Sequence, residues 1–117
     1  MIYYGGIAKN KYVLADYTVF DDDFSAEFQQ LVHMAKPDDS IQVNKQDTYT
    51  CHIKSNPDGY SFGCAVSPLA SSDVPGNFLD NLQKKVYHEL TNENETEGGS
   101  RAVRLTKIIR ELIVLVL

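Results

Sequence analysis

Few residues in this chain have types and spacings that could do chemistry. They are Asp21-Asp22-Asp23, Cys51-His52, Gly5-Gly6 and the separate His33 and His88. Three adjacent carboxylates could hold a cation. A calcium loop, however, needs alternate acidic positions, a central Gly and a distal Glu, and none of these follows. The run directly precedes an apolar helical stripe, so it is expected to cap a helix N-terminus and meet its positive dipole end. Cys51-His52 could pair a nucleophile with a base, but neighbours on a strand point to opposite faces. Gly5-Gly6 lacks the spacing and the Lys-Ser/Thr ending of a phosphate loop and lies inside a strand pattern. His33 and His88 stand alone on helical stretches and are expected to face solvent. No Ser-centred elbow or HExxH occurs. The two cysteines, Cys51 and Cys64, form no CxxC and have no His at zinc spacing. The chain is therefore expected to be non-catalytic, with no cofactor, no metal and two free thiols acting as small core residues.

Composition points the same way. A chain of 117 residues fits one domain, 1–117, and a domain of this size buries about two-thirds of its unfolded surface. Its net charge of −5 and lack of a Lys/Arg stripe speak against nucleic acid and against a polybasic membrane patch. The first strand begins directly after Met1, so no secretory signal is expected. The longest apolar run, 112–117, falls far short of the roughly 20 residues that span a bilayer. Ile2 and the Cys-free last four residues offer no lipidation motif. These features predict a soluble, cytosolic chain without direct membrane insertion.

The elements follow from hydrophobic period. Residues 2–8 and 12–19 are rich in β-branched and aromatic residues and are joined through Lys9, Asn10 and Lys11, which predicts a hairpin. Gly5 and Gly6 imply a bulge or the close approach of another backbone. Phe24, Phe28, Leu31 and Ala35 form a helical stripe flanked on opposite sides by Val32 and Met34, and Pro37 ends that helix. Residues 40–45 alternate, with Ile41 and Val43 on one side, as in a polar edge strand. Residues 48–55 and 60–67 are two more strands around Asn56-Pro57-Asp58-Gly59. A two-residue loop there would set Cys51 opposite Cys64. A type I turn with Gly59 as a bulge would set Cys51 opposite Ala65 and His52 opposite Cys64. Pro-Asp-Gly favours the bulge, which puts the thiols on opposite faces.

After a loop over 68–73, a second helix is predicted over 74–91, with Phe78, Leu79, Leu82, Val86 and Leu90 as its stripe. An acidic linker spans 92–99. The third helix runs from about Arg101 and buries Leu105, Ile108, Ile109, Leu112, Ile113 and Val116. Its terminal LIVLVL exceeds what one buried face needs. Val114, Leu115 and Leu117 belong either to a helix end that packs on all sides or to a contact patch for a partner.

This order of elements, with the segments TYTCHIK (49–54 with Thr48) and NFLDNLQKKVYHEL (77–90) and the residues Phe24, Phe28 and Leu31, resembles the longin domains of R-SNARE proteins related to the vesicle-associated membrane proteins. The resemblance covers nearly the whole chain. It implies an α+β, profilin-like fold: a five-stranded antiparallel sheet in ββαβββαα order, with one helix on one face and two on the other. It also implies a non-catalytic regulatory and sorting role in vesicle-mediated transport. The domain would bind a SNARE motif, of its own chain or a cognate SNARE, or a trafficking adaptor in a groove between the first helix and the third strand.

The matching positions are Phe28, Leu31, Val32 and Met34 on the helix, and Ile41 and Val43 on the strand; only one of Val32 and Met34 can face that strand. Each fully buried apolar anchor would contribute roughly 1.5–3 kcal/mol, and a tethered partner needs little affinity because the effective concentration is near millimolar. An unfilled groove would promote weak self-association. The sequence departs from a whole R-SNARE in lacking a heptad segment with a central Arg and a membrane anchor. The expectation is a piece of a longer SNARE, held at the cytosolic face of endomembranes by a downstream anchor, or a longin standing alone. The competing readings are a longin-like scaffold subunit of a tethering or coat complex, and a small enzyme or sensor using Cys64 and His52.

Overall fold

The computed structural model describes residues 1–20, 24–91 and 98–116. Its elements are β1 (Ile2–Lys9), β2 (Tyr12–Thr18), α1 (Phe24–Met34), β3 (Ile41–Lys45), β4 (Thr50–Ser55), β5 (Tyr60–Val66), α2 (Asp73–Thr91) and α3 (Gly98–Val116). The strands form one antiparallel sheet in the order β2-β1-β5-β4-β3. The Asp21–Asp23 cap, most of the acidic linker and Leu117 lie outside the described residues.

Turn chemistry fixes the register. Asn10 and Lys11 take φ of 50° and 73° between the paired Lys9 and Tyr12, a two-residue turn whose twist suits the strands. At the other hairpin, Gly59 N–H donates to the Asn56 carbonyl at 3.1 Å, and Gly59 has φ of 91°. This is the type I turn with a glycine bulge. It sets Cys51 opposite Ala65 and His52 opposite Cys64, so the thiols face opposite sides of the sheet. Asn10 N–H donates to the Gly59 carbonyl at 2.9 Å, which ties the two turns together.

Two cores follow from the alternation. On one face α2 and α3 pack Phe78, Leu79, Leu82, Val86, Leu105, Ile109 and Ile113 against Ile2, Ile7, Phe62, Cys64 and Val66. On the other, α1 packs Phe24, Phe28 and Val32 against Tyr4, Ala8, Cys51, Ile53 and Ala65. All five expected stripe residues of α2 are buried. The buried line of α1 is rotated from expectation: Phe24, Phe28 and Val32 are buried at i, i+4, i+8, while Leu31 and Ala35 are half-buried. The third helix starts at Gly98, earlier than its glycines suggested.

The glycine pair of β1 was expected to mark a bulge or a backbone contact. The bulges fall beside it, at Ile2/Tyr4 toward β5 and at Ile7/Ala8 toward β2. The glycines instead admit side chains. A Cβ on Gly5 would lie 2.7 Å from Ile109 Cγ2 and 2.9 Å from Phe78 Cζ. One on Gly6 would lie 2.7 Å from Phe28 Cε2, and one on its partner Gly63 would lie 2.5 Å from Phe28 Cε1. The Phe28 ring thus lies across a Gly6–Gly63 pair and brings α1 down onto the sheet centre.

Candidate functional site

The rim between α1 and β3 is built from one helix flank and one exposed strand. Helix α1 stops before Pro37, because the residue ahead of a proline is pushed out of helical backbone. The connection is pinned by Asp38, whose carboxylate accepts the Ser40 N–H at 3.0 Å and the Ser40 hydroxyl at 2.5 Å. Those bonds hold the Asp38 carboxyl below the usual range. Asp39 N–H donates to the Ser55 carbonyl at 2.9 Å.

Glu27 closes one end of the rim. Its Oε1 accepts from Asn44 Nδ2 at 2.9 Å and from Gln46 Nε2 at 3.4 Å, and its Oε2 accepts the Tyr49 hydroxyl. Leu31 and Met34 follow at i+4 and i+7, so they share the flank that Glu27 turns to β3. Met34 is therefore the flanking residue on that side, with 74% of its surface exposed, and Val32 at 3% belongs to the sheet core.

The strand half of the expected groove is arranged differently. Val43 pairs with His52, and His52 with Cys64, which packs against α2 and α3. Ile41 Cδ1 comes within 3.9 Å of the Cβ position of Gly76 in α2. Ile41 and Val43 thus point to the face away from α1, and both stand exposed, at 44% and 51%. Gln42 and Asn44 face α1. Gln42 Nε2 is screened from solvent and has no hydrogen-bond partner among the described residues. The sequence showed that Ile41 and Val43 share a side, but a half-turn of the strand decides which side. The structure unites Phe28, Leu31, Val32 and Met34 on α1, but it does not join Ile41 and Val43 to them in one slot. On α3, Val114 and Leu115 are exposed, and Leu117 is outside the described residues.

Of the residues weighed for chemistry, Cys51 and Cys64 are buried in the sheet and His52 is half-buried. His52 Nε2 lies 3.0 Å from Thr50 Oγ1, its hydrogen-bond partner, and burial holds the imidazole below its ordinary value. Burial, and then the Cys51 charge, push the Cys64 thiol up. Cys51 is pushed up to about 12, by burial first and then by Glu27. Both thiols are buried and free. A thiolate is the nucleophile in disulfide exchange, so an aromatic disulfide reagent at pH 8 is expected to label neither cysteine of the folded protein and both after denaturation. Prompt labelling of the folded chain would contradict the burial described. His33 and His88 are exposed. Among the described residues no group of His, Cys, Asp and Glu is placed to hold a metal, and no helix is long and apolar enough to cross a membrane.

Sequence reading missed two hubs. One is Glu27, whose signal was a lone carboxylate on the flank shared with Leu31 and Met34. The other is Asp16, which accepts the Tyr4 hydroxyl at 2.9 Å and the Ser25 hydroxyl at 2.5 Å. Burial, and then the Asp16 charge, raise the Tyr4 phenol well above its usual range. Asp16 links the start of α1 to β1 and β2.

A sheet in this order, with one helix before it and two behind, is the longin fold. The solved longin domain of the yeast R-SNARE Nyv1p shares it: the match has a TM-score of 0.54 and 14% identity, and covers 97% of this chain and 91% of that one. No family model and no curated protein sequence matches the chain.

Proposed function

We propose that this chain is a non-catalytic regulatory and sorting module of an R-SNARE in vesicle-mediated transport, acting at the cytosolic face of endomembranes. The observation that carries the reading is the fold likeness to the longin domain of yeast R-SNARE Nyv1p over nearly the full chain. Its partner would be a SNARE motif or a trafficking adaptor. The partner would grip the α1–β3 rim from both sides of the edge strand, touching Leu31 and Met34 on the helix flank and Ile41 and Val43 on the far side. An edge strand offers unpaired N–H and C=O groups as well as side chains, so a gripping partner gains both. Phe28 and Val32 support this rim from beneath rather than touching the partner.

The test is titration of the folded domain with a synthetic R-SNARE motif peptide. Burying one Leu contributes roughly 1.5–3 kcal/mol, so Leu31→Ser is expected to weaken binding by about tenfold or more. Binding unchanged in a folded Leu31→Ser variant removes the rim assignment. A second reading, a scaffold subunit of a tethering or coat complex, draws on the exposure of Val114 and Leu115 at 58% and 80%. Under that reading the chain co-purifies with a fixed partner, and substitution of those two residues releases it.

A further inference from the structure

The sheet has two edges, and the rim uses only that of β3; the other edge is β2. Edge strands are commonly blunted by Lys, by Pro or by a cover. Strand β2, Tyr12–Thr18, contains neither Lys nor Pro. Val19 N–H donates to the Tyr3 carbonyl at 2.9 Å, so Val19 and, two residues back, Tyr17 turn their backbone groups to β1. Asp16 and Thr18 turn theirs outward, where no hydrogen bond among the described residues meets them. Beside this edge lies an open cavity of about 370 Å³, lined by Tyr17 of β2 and by Ala102, Val103, Thr106, Lys107 and Arg110 of α3. Lys107 and Arg110 are exposed, and among the described residues neither is ion-paired. No carboxylate lines the cavity. The Asp16 side chain projects to the opposite face, where it accepts from the Tyr4 and Ser25 hydroxyls. Arg104 is taken up by Glu89 at 2.9 Å. Two cations with no described counter-ion thus stand along an open strand edge, in a chain of net charge −5.

We propose that β2 takes up an acidic, extended segment of a protein partner as an added strand, with its carboxylates on Lys107 and Arg110. Such a strand gains main-chain hydrogen bonds from the outward groups of Asp16 and Thr18. Its side chains alternate between the two faces of the sheet. Those on the α3 side enter the cavity beside Tyr17 and Val103, where a carboxylate accepts charge-assisted hydrogen bonds from the two cations. Those on the α1 side come to the face of Asp16, which repels acids. The segment is therefore acidic at alternate positions and uncharged between them. An anionic lipid headgroup would use the cations and leave the strand edge unpaired. A second copy joined β2 to β2 would continue the sheet through a two-fold axis and put both sets of cations on one face, where like charges repel. This edge lies across the sheet from β3, and the inference does not depend on what the rim binds.

The experiment is an NMR titration of the isotope-labelled domain with a Thr-Glu repeat octapeptide, with Thr-Gln and Pro-Glu repeats alongside. The Thr-Gln peptide keeps the strand and loses the charge; the Pro-Glu peptide keeps the charge and loses the N–H groups that a strand would offer β2. Saturable shifts over β2 and the Val103–Arg110 flank, slowed exchange of the Asp16 and Thr18 amides, and several-fold weaker binding of both control peptides support the proposal. Lys107→Gln with Arg110→Gln is expected to weaken the Thr-Glu peptide by about three- to tenfold at low salt, with the difference shrinking as salt is added. Thr18→Pro removes one outward N–H at an edge, where proline is tolerated, and is expected to weaken it by about tenfold; if that variant does not fold, the Pro-Glu peptide puts the same question to the parent. Equal binding of the Thr-Glu and Pro-Glu peptides, or unchanged exchange at Asp16 and Thr18, overturns it. So does a free domain that already protects those amides as a dimer, or one that binds phosphatidylserine vesicles through Lys107 and Arg110 and ignores the Thr-Glu peptide.

Discussion

Gly63→Ala is expected to destabilise the domain by about 1–3 kcal/mol, the range for overpacking a filled core, although it adds only a methyl group. The Phe28 ring is 4% exposed and is held over two glycines of adjacent strands. A Cβ on Gly63 would lie 2.5 Å from Cε1 and 2.7 Å from Cδ1 of that ring. The ring has little room to slide toward Gly6, because the Tyr4 hydroxyl shares that space, ring and hydroxyl each lying 2.7 Å from the Gly6 Cβ position. It must rise, and α1 with it. Phe28→Ala is expected to cost more, about 3–5 kcal/mol, by leaving the cavity unfilled. The pair should not add. In Gly63→Ala/Phe28→Ala the new methyl enters vacated space, so a coupling of about 1 kcal/mol or more is expected from urea midpoints. Strict additivity would mean that ring and glycine do not meet. Since α1 carries Glu27, Leu31 and Met34, Gly63→Ala is also expected to disturb the rim.

On the opposite face, Ile109→Ala is expected to lower stability by about 2–5 kcal/mol. Ile109 is fully buried, and its Cγ2 fills the space left by Gly5, beside Phe78 of α2. It joins α3 to the sheet and to α2 at one point. Val114→Ala and Leu115→Ala, on the same helix, are expected to stay within about 0.5 kcal/mol of the parent, because both side chains already face solvent. Thermal unfolding of the three variants separates the classes. A mild Ile109→Ala, comparable to Leu115→Ala, would show that α3 does not dock as described.

The same comparison shows where periodicity carries information. The α2 residues Phe78, Leu79, Leu82, Val86 and Leu90 were legible because a long helix repeats its stripe several times, which averages out single deviations. In α1 the shorter repeat left the rotation ambiguous, and the sheet chose Val32 over Leu31. A helix of three turns allows either line. The winner, Val32, is buried in the same core as Ile53 and Cys51, while Leu31 lies at its margin.

What the sequence determined by itself was local and periodic. Asn-Pro-Asp-Gly marks a hairpin and favours a turn with Gly59 at positive φ; the structure takes that turn, and it sends Cys51 and Cys64 to opposite faces. The order of two-residue and helical periods dictated five strands and three helices, because each period buries one face of one kind of element. What tertiary structure alone decided was which face of β3 looks at α1. Alternation makes Ile41 and Val43 equivalent to each other but is blind to the choice between two layers. That choice passes through the pairing of Val43 with His52 and of His52 with Cys64. Contacts distant in sequence also gathered Glu27 with Asn44, Gln46 and Tyr49, and Tyr3 with Phe20 and Tyr49 around one cavity. No local pattern encodes such meetings, since they exist only once the sheet has closed.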